Sequence, residues 1–191
     1  MSIVKKLFLS TKEEKIIDRA MRHATRAHKG QTRKYGDKPP YIQHPKAVAE
    51  MVRNAGGDCD MIAASWLHDV VEDTNWTIAE VHEEFGADIG SLVAQLTNPS
   101  KQYPNYPRAE RKRIDREHAV SISSRAKTIK VADRLHNLRG ILKEAPSDFA
   151  ELYLYETIQL FRALRGADEN LMDALWEEII TGLGKYLRTV P

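Results

Sequence analysis

Apolar residues recur at helical spacing along most of this chain, and glycine- or proline-containing breaks separate the recurring stretches. Near the N-terminus, Thr11 followed by Glu14 is a capping-box pattern, which predicts a helix that runs to about Lys29. Thr77 followed by Glu80 is a second pattern of this kind. Neither alternating strands nor an internal repeat accompany these stretches, so we predict an all-α fold.

The same start and stop signals predict a bundle of about eight to ten helices. A chain of 191 residues is close to the usual length of one domain. We therefore expect a single domain over residues 1–191, with its core at about 15–165 and a C-terminal helix at about 168–187. After the first helix, the predicted helices cover roughly 45–55, 59–73, 77–85, 87–97, 108–119, 125–143, 147–164 and 168–187.

Charge and cysteine content exclude several classes of protein. The formal net charge of +2 is too balanced to indicate nucleic-acid or membrane binding. Cys59 is the only cysteine, so metal ligands would have to be histidines and carboxylates. The first ten residues include no apolar stretch of signal-peptide length, so we expect a cytoplasmic protein without a membrane anchor. The sequence leaves open whether the chain forms an oligomer.

The string H-D-V-V-E-D at 68–73 places four ionisable residues in an apolar setting. On a continuous helix, His68, Asp69, Glu72 and Asp73 fall within an arc of about 140°. The preceding residues, A-A-S-W-L, indicate that this helix belongs in the interior. Burying these groups is costly without compensation, and a bound cation would supply it.

A second string, K-V-A-D-R-L-H-N-L at 130–138, places Asp133 and Asn137 one turn apart on one face. Its apolar residues occupy the opposite face, which predicts that the helix packs there against the core. An aspartate in such a place is expected to have a metal ion or a cationic side chain as its partner.

These strings, with Y-I-Q-H-P around His44, resemble the H…HD…D signature of HD-domain phosphohydrolases in order and spacing. The resemblance covers roughly residues 15–165 and narrows to the hydrolase domain of Rel/Spo proteins. It is stronger still to the free-standing small alarmone hydrolases. The strings that carry it are R-K-x(5)-P-Y-I-x-H-P, L-H-D-V-V-E-D-T, E-E-F-G, E-R-K-R and K-V-A-D-R-L-H-N-L-R.

The resemblance implies a site with one divalent metal, Mn²⁺ in the family, and a pair of carboxylates that orient and deprotonate the attacking water. Glu72 and Asp73 match that pair. The implied metal ligands are His44, His68, Asp69 and Asp133.

For the substrate, the resemblance implies that Arg33 and Lys34 contact the nucleotide and that Asn137 lies near its sugar or base. Two positions depart from the Rel/Spo pattern. Tyr35 stands where a small residue is common, and Gly140 stands where a threonine is common. Recognition of the base is the part of the resemblance that these departures affect.

The implied function is hydrolysis of the 3′-pyrophosphate of guanosine tetra- or pentaphosphate (ppGpp or pppGpp), giving GDP or GTP and pyrophosphate. One alternative keeps the metal and the water but takes another nucleotide or an NADPH-like substrate. A second alternative is a non-catalytic domain that senses nucleotides. All six presumed ligand and water-activating residues are present, which favours an enzyme.

Other charged and aromatic residues have ordinary interpretations. The run 108–116 interleaves basic with acidic residues, as a solvated helix face does, although a nucleic-acid patch stays open. If the resemblance holds, Lys101 and residues 108–113 would steer an anionic nucleotide. Tyr103 and Tyr106 are placed to stack on a base. Four histidines lack a partner motif and are interpreted as surface or core residues: His23, His28, His82 and His118.

Overall fold

The computed structural model describes residues 10–186, and within them it has ten α-helices, one short 3-10 helix and no strand. The predicted all-α class and the predicted number of helices are confirmed. The 3-10 helix spans Pro99–Gln102. The α-helices are α1 Thr11–Ala27, α2 Gln43–Asn54, α3 Cys59–Leu67, α4 Val70–Asp73, α5 Ile78–Phe85, α6 Ala87–Leu96, α7 Arg108–Ser121, α8 Ser124–Glu144, α9 Ser147–Ala163 and α10 Glu169–Tyr186.

The chain divides into two compact units. Unit 1 comprises Met1–Gln31 and Pro40–Thr97, and unit 2 comprises Thr32–Pro39 and Asn98–Pro191. The single domain expected over residues 1–191 stays a prediction. Residues 1–9, with the expected absence of a signal peptide, and residue 187, the expected end of the last helix, lie outside the described part.

Helix α3 is the centre of unit 1, where it packs against α1, α2 and α6. Apart from Asp60 its residues are all buried, because C-D-M-I-A-A-S-W-L is apolar around almost the whole helix. Cys59, at its first position, is 6% exposed. The pKa of the Cys59 thiol is raised to about 11. Burial is the largest cause, and nearby carboxylates, with Asp60 first, contribute the rest.

Unit 2 is organised around α9, which contacts α7, α8 and α10. On its inner side, Glu156 is 5% exposed and accepts hydrogen bonds from Arg108 Nε and Nη2 at 2.7 and 2.9 Å. The first residue of the basic run is therefore tied into the packing of unit 2. Arg113, on the same helix, pairs with Glu110 and Glu117 at the surface. These contacts agree better with a solvated, ion-paired helix face than with a free basic patch.

The first capping box lies one residue earlier than predicted. Ser10 Oγ accepts from the Glu13 N–H at 3.4 Å, and Glu13 Oε2 accepts from the Ser10 N–H at 2.7 Å. Ser10 and Thr11 suit the cap position equally well, so the pattern could not separate them. The second box, formed by Thr77 and Glu80, is confirmed.

The helix predicted over 59–73 is wrong in one respect, because it breaks at His68 and Asp69. Asp69 has φ −103° and ψ −4°, which lies in the bridge region outside ideal helical values. His68 Nδ1 also bonds the main-chain oxygen of Ser65 at 2.7 Å, a local contact that competes with regular helix continuation. The 140° arc derived for a continuous helix therefore does not apply across the break.

Among residues 10–186, no helix has the length and apolar character that crossing a lipid bilayer requires.

The Arg108–Glu156 pair generates a stability prediction. Glu156→Ala should lower the free energy of unfolding by about 2 kcal/mol in urea titrations. This is less than the ~3–5 kcal/mol typical when one partner of a buried pair is removed, because the Arg108 side chain is 38% exposed and can be rehydrated. Glu110→Ala, which removes a surface partner, is the matched control and should leave unfolding unchanged. Equal effects of the two substitutions would contradict this assignment.

Candidate metal centre

Two buried imidazoles face each other in unit 1. His44 is the second residue of α2, His68 directly follows α3, and they are 1% and 4% exposed. Their Nε2 atoms are 3.2 Å apart. His68 Nδ1 donates to the oxygen of Ser65, so in the neutral ring Nε2 carries the lone pair. A histidine held in this way by the main chain presents its free nitrogen in a fixed direction, as metal ligands do.

The Asp69 carboxylate completes this group. Its Oδ2 lies 3.0 Å from His68 Nε2 and 3.5 Å from His44 Nε2. Burial by itself would raise the pKa of Asp69, but the charge that His68 carries when its ring is protonated, and the hydrogen bonds that the His44 and His68 rings then donate, hold that pKa well below its ordinary value. Asp69 is therefore an ionised oxygen donor beside two nitrogen donors.

The spacing of these donors suits a divalent cation. Nitrogens at ~2.1 Å from one ion are about 3.0 Å apart at a right angle and about 3.4 Å apart at the tetrahedral angle. The Nε2–Nε2 distance of 3.2 Å lies between these values. Imidazole and carboxylate donors accept several divalent transition metals, so this set fits a metal without singling out Mn²⁺.

Tyr41 is a residue of this site that the sequence analysis missed. Its hydroxyl lies 2.5 Å from Asp69 Oδ2 and 3.3 Å from Asp73 Oδ2. The available signal was its position in Y-I-Q-H-P, three residues before a presumed ligand. Of the two presumed water-activating residues on α4, Glu72 is half-buried and Asp73 is exposed.

A second group of predicted residues lies in unit 2. Asn137 Nδ2 donates to Asp133 Oδ1 at 2.6 Å, as expected for residues one turn apart. Asn137 Oδ1 accepts from Arg33 Nη2 at 2.7 Å. The side-chain amide of Asn137 therefore links a presumed metal ligand to a presumed substrate contact.

The remaining presumed substrate contact, Lys34, lies among aromatic rings. Its Nζ is 5.2 Å from the ring centroid of Tyr35 and 5.5 Å from that of Phe149. These rings are 5.5 Å apart, so Tyr35 packs on α9. At Gly140, by contrast, an added Cβ would meet nothing within 4 Å, so there is space for a β-carbon at this position.

Tyr103 and Tyr106 stack on each other, with ring centroids 4.9 Å apart and an angle of 23° between the rings. They are 41% and 46% exposed. Stacking on a base, which the sequence suggested for them, stays a prediction.

The fold and these residues agree with one protein family. Residues 20–169 match the family model of the HD domain. The chain belongs to the HD-domain family, which confirms the resemblance seen in its motifs.

Within that family, the chain is similar to guanosine-3′,5′-bis(diphosphate) 3′-pyrophosphohydrolase MESH1 of Xenopus tropicalis, with 38% identity over 82% of this chain and 88% of that protein. Its identity to human MESH1 is 37%, over 80% of this chain and 86% of the relative. A solved structure described as a metazoan ortholog of SpoT that hydrolyses ppGpp and plays a role in starvation responses superimposes with a TM-score of 0.81. It is 30% identical, with coverage of 92% of this chain and 97% of that one.

The donor set predicts metal-dependent stability. Adding Mn²⁺ to metal-free protein should raise its melting temperature. At a metal concentration of about 100 times Kd, binding should raise the free energy of unfolding by about 2.7 kcal/mol. His44→Ala and Asp69→Ala should lose this response, whereas His82→Ala, on the exposed side of α5, should keep it. A full response in His44→Ala would contradict the site.

Proposed function

We propose that this chain is a metal-dependent phosphohydrolase that removes the 3′-pyrophosphate of guanosine tetra- or pentaphosphate, giving GDP or GTP and pyrophosphate. The observation that carries the proposal is the similarity, over about four-fifths of the chain, to relatives named for this reaction. The convergence of His44, His68 and Asp69 supports it, because these donors could hold the required cation.

The proposed ligand set is His44, His68, Asp69 and Asp133, and the proposed metal is Mn²⁺. The first three are supported by their mutual distances. Asp133 is supported by its place in the H…HD…D signature and by the Asn137 N–H that orients its carboxylate. Four ligands, two imidazole nitrogens and two carboxylate oxygens, leave coordination positions for water and phosphate.

A divalent cation held by His44, His68, Asp69 and Asp133 would lower the pKa of a water molecule and polarise a phosphoryl oxygen. Glu72 and Asp73 orient the attacking water and take its proton. The water oxygen forms a bond to the phosphorus next to the ribose 3′ oxygen, the bond between that phosphorus and the 3′ oxygen breaks, the 3′ oxygen gains a proton, and pyrophosphate leaves. The short helix α4 fixes the main-chain positions of Glu72 and Asp73, because both residues lie within its four residues.

Arg33 and Lys34 are the proposed contacts to the anionic nucleotide, and Asn137 is proposed to lie near its sugar or base. The hydrogen bond from Arg33 to Asn137 supports a common role for these two residues. The Lys34 ammonium lies near two aromatic rings, and the attraction between the cation and the rings supports a fixed place for it beside the nucleotide. A cytoplasmic location, without a nucleic-acid partner, stays a prediction, as does the oligomeric state.

A second candidate is an HD-domain phosphohydrolase that acts on another nucleotide or on an NADPH-like substrate. The observation that favours it is the pair of departures at Tyr35 and Gly140, which change one ring and one side-chain volume in unit 2. A non-catalytic nucleotide sensor is disfavoured, because both Glu72 and Asp73 are retained.

A substrate panel tests the proposed reaction. With Mn²⁺, the protein should release pyrophosphate from guanosine tetra- and pentaphosphate, and Asp69→Ala and Glu72→Ala should lower kcat at least ~100-fold. Glu83→Ala, an exposed acid on α5, is the matched control and should retain activity. Turnover confined to NADPH or to another nucleotide would favour the second candidate. Metal binding without any turnover would favour the sensor.

Arg33 gives a separate prediction about binding. At saturating Mn²⁺, Arg33→Ala should raise KM for the guanosine polyphosphate ~10–100-fold and change kcat less, because one charge-assisted contact is lost. Lys143→Ala, on the exposed side of α8, should leave both constants unchanged. Steady-state kinetics measure this split. A fall in kcat with unchanged KM would contradict a binding role for Arg33.

A further inference from the structure

We propose that Tyr41, held in place by His28 and Gln31, is a positioning residue that fixes the carboxylates of Asp69 and Asp73 as one unit. The inference rests on the proposed function, since it assigns Asp69 to the metal and Asp73 to the attacking water. It adds three residues to the site, none of which the metal or the substrate is proposed to contact.

The Tyr41 hydroxyl links the two side-chain carboxylates. It lies 2.5 Å from Asp69 Oδ2 and 3.3 Å from Asp73 Oδ2. A phenol has one proton, which it donates to the nearer oxygen, while its dipole also faces the second. Two like charges four residues apart would otherwise repel each other, and a shared donor reduces this repulsion.

The ring of Tyr41 is itself fixed by its neighbours. The His28 ring lies 4.8 Å away at 37°, and the His44 ring lies 5.8 Å away at 70°. The Tyr41 N–H donates to the main-chain oxygen of Gln31 at 2.9 Å. The hydroxyl therefore keeps its direction without help from a ligand.

Asp73 is also held from its main chain. Gln31 Nε2 donates to the Asp73 carbonyl oxygen at 2.8 Å. Because that amide nitrogen is the donor, Gln31 Oε1 must accept from His28, and their distance is 2.8 Å. His28 is 2% exposed, and its Nε2 has no hydrogen-bond partner among the described residues.

The hydrogen bond to Gln31 indicates which tautomer the His28 ring adopts. With the proton on Nδ1, the Nε2 atom carries a lone pair, which is less costly to bury without a partner than an N–H donor. The place of His28 behind Gln31 and Tyr41 indicates support for the two residues that hold Asp73.

The consequence concerns the freedom of an exposed side chain. Asp73 ends α4 and is exposed to solvent, where a side chain commonly samples several rotamers. Gln31 holds the main chain of Asp73 and Tyr41 holds its carboxylate. The conformational entropy of the Asp73 side chain is therefore lost on folding and not in each turnover. Tyr41 gives the water-activating carboxylate a set distance from the metal ligand.

The test uses Tyr41→Phe, which removes the hydroxyl and keeps the ring. At saturating Mn²⁺, kcat should fall ~10–100-fold with little change in KM, and without substrate the Mn²⁺ affinity measured by calorimetry should fall up to ~10-fold. Tyr155→Phe, a 60% exposed tyrosine on α9, is the matched control and should change neither quantity. Circular dichroism and the melting temperature monitor folding.

A double-mutant cycle separates positioning from mere structural support. Tyr41→Phe should lower kcat much less in an Asp73→Asn background than in the native chain, because its partner is already lost. Gln31→Leu should resemble Tyr41→Phe and add little to it. Equal losses in both backgrounds, or a native kcat and native Mn²⁺ affinity in Tyr41→Phe, would overturn the inference.

The outcome is independent of the substrate assignment. If the native protein hydrolyses a different member of the panel, the proposed substrate fails and the same cycle is run on that compound. If it hydrolyses none, the calorimetric arm decides, since unchanged Mn²⁺ affinity in Tyr41→Phe overturns the inference.

Discussion

One carboxylate oxygen, Oδ2 of Asp69, is the point on which the site in unit 1 depends. It lies 2.5 Å from the Tyr41 hydroxyl, 3.0 Å from His68 Nε2 and 3.5 Å from His44 Nε2. Burying an ionised oxygen is costly unless donors or a cation surround it. The segment before α2, the first turn of α2 and the end of α3 therefore converge on this atom. If the helix had continued without a break, the Asp69 side chain would have followed the regular helical spacing. The break after α3 is therefore part of the arrangement that brings Asp69 Oδ2 to these donors.

Much of the helical fold was predictable, because helix starts, glycine stops and apolar spacing are local signals. Gly86, with φ 88°, ends α5 where the pattern placed it. The break at His68 was not predictable from spacing, since V-V-E-D continues the helical pattern on its far side. It coincides with the contact between His68 Nδ1 and the main-chain oxygen of Ser65, three residues earlier, which helical spacing alone does not indicate.

The same distinction applies to the site. Asp133 and Asn137 were expected on one face because one helical turn separates them, and their hydrogen bond follows directly. The bond from Arg33 to Asn137 joins residues 104 positions apart, and only the family resemblance placed both near a substrate. Tyr41 escaped prediction because its contact with Asp69 spans 28 positions and a hydroxyl carries no periodic signal. His28, interpreted as ordinary, is a core histidine by exposure but lies beside Tyr41.

The buried thiol at the start of α3 has a consequence of its own. Because its pKa is raised to about 11, the Cys59 thiol is ionised far less at neutral pH than the thiol of an ordinary cysteine. The thiolate is the reactive form, so an alkylating reagent modifies Cys59 chiefly in molecules where the N-terminal end of α3 has opened. The rate of that alkylation thus measures local unfolding. Because α3 ends beside His68, it measures unfolding in the helix that carries an imidazole of the metal centre.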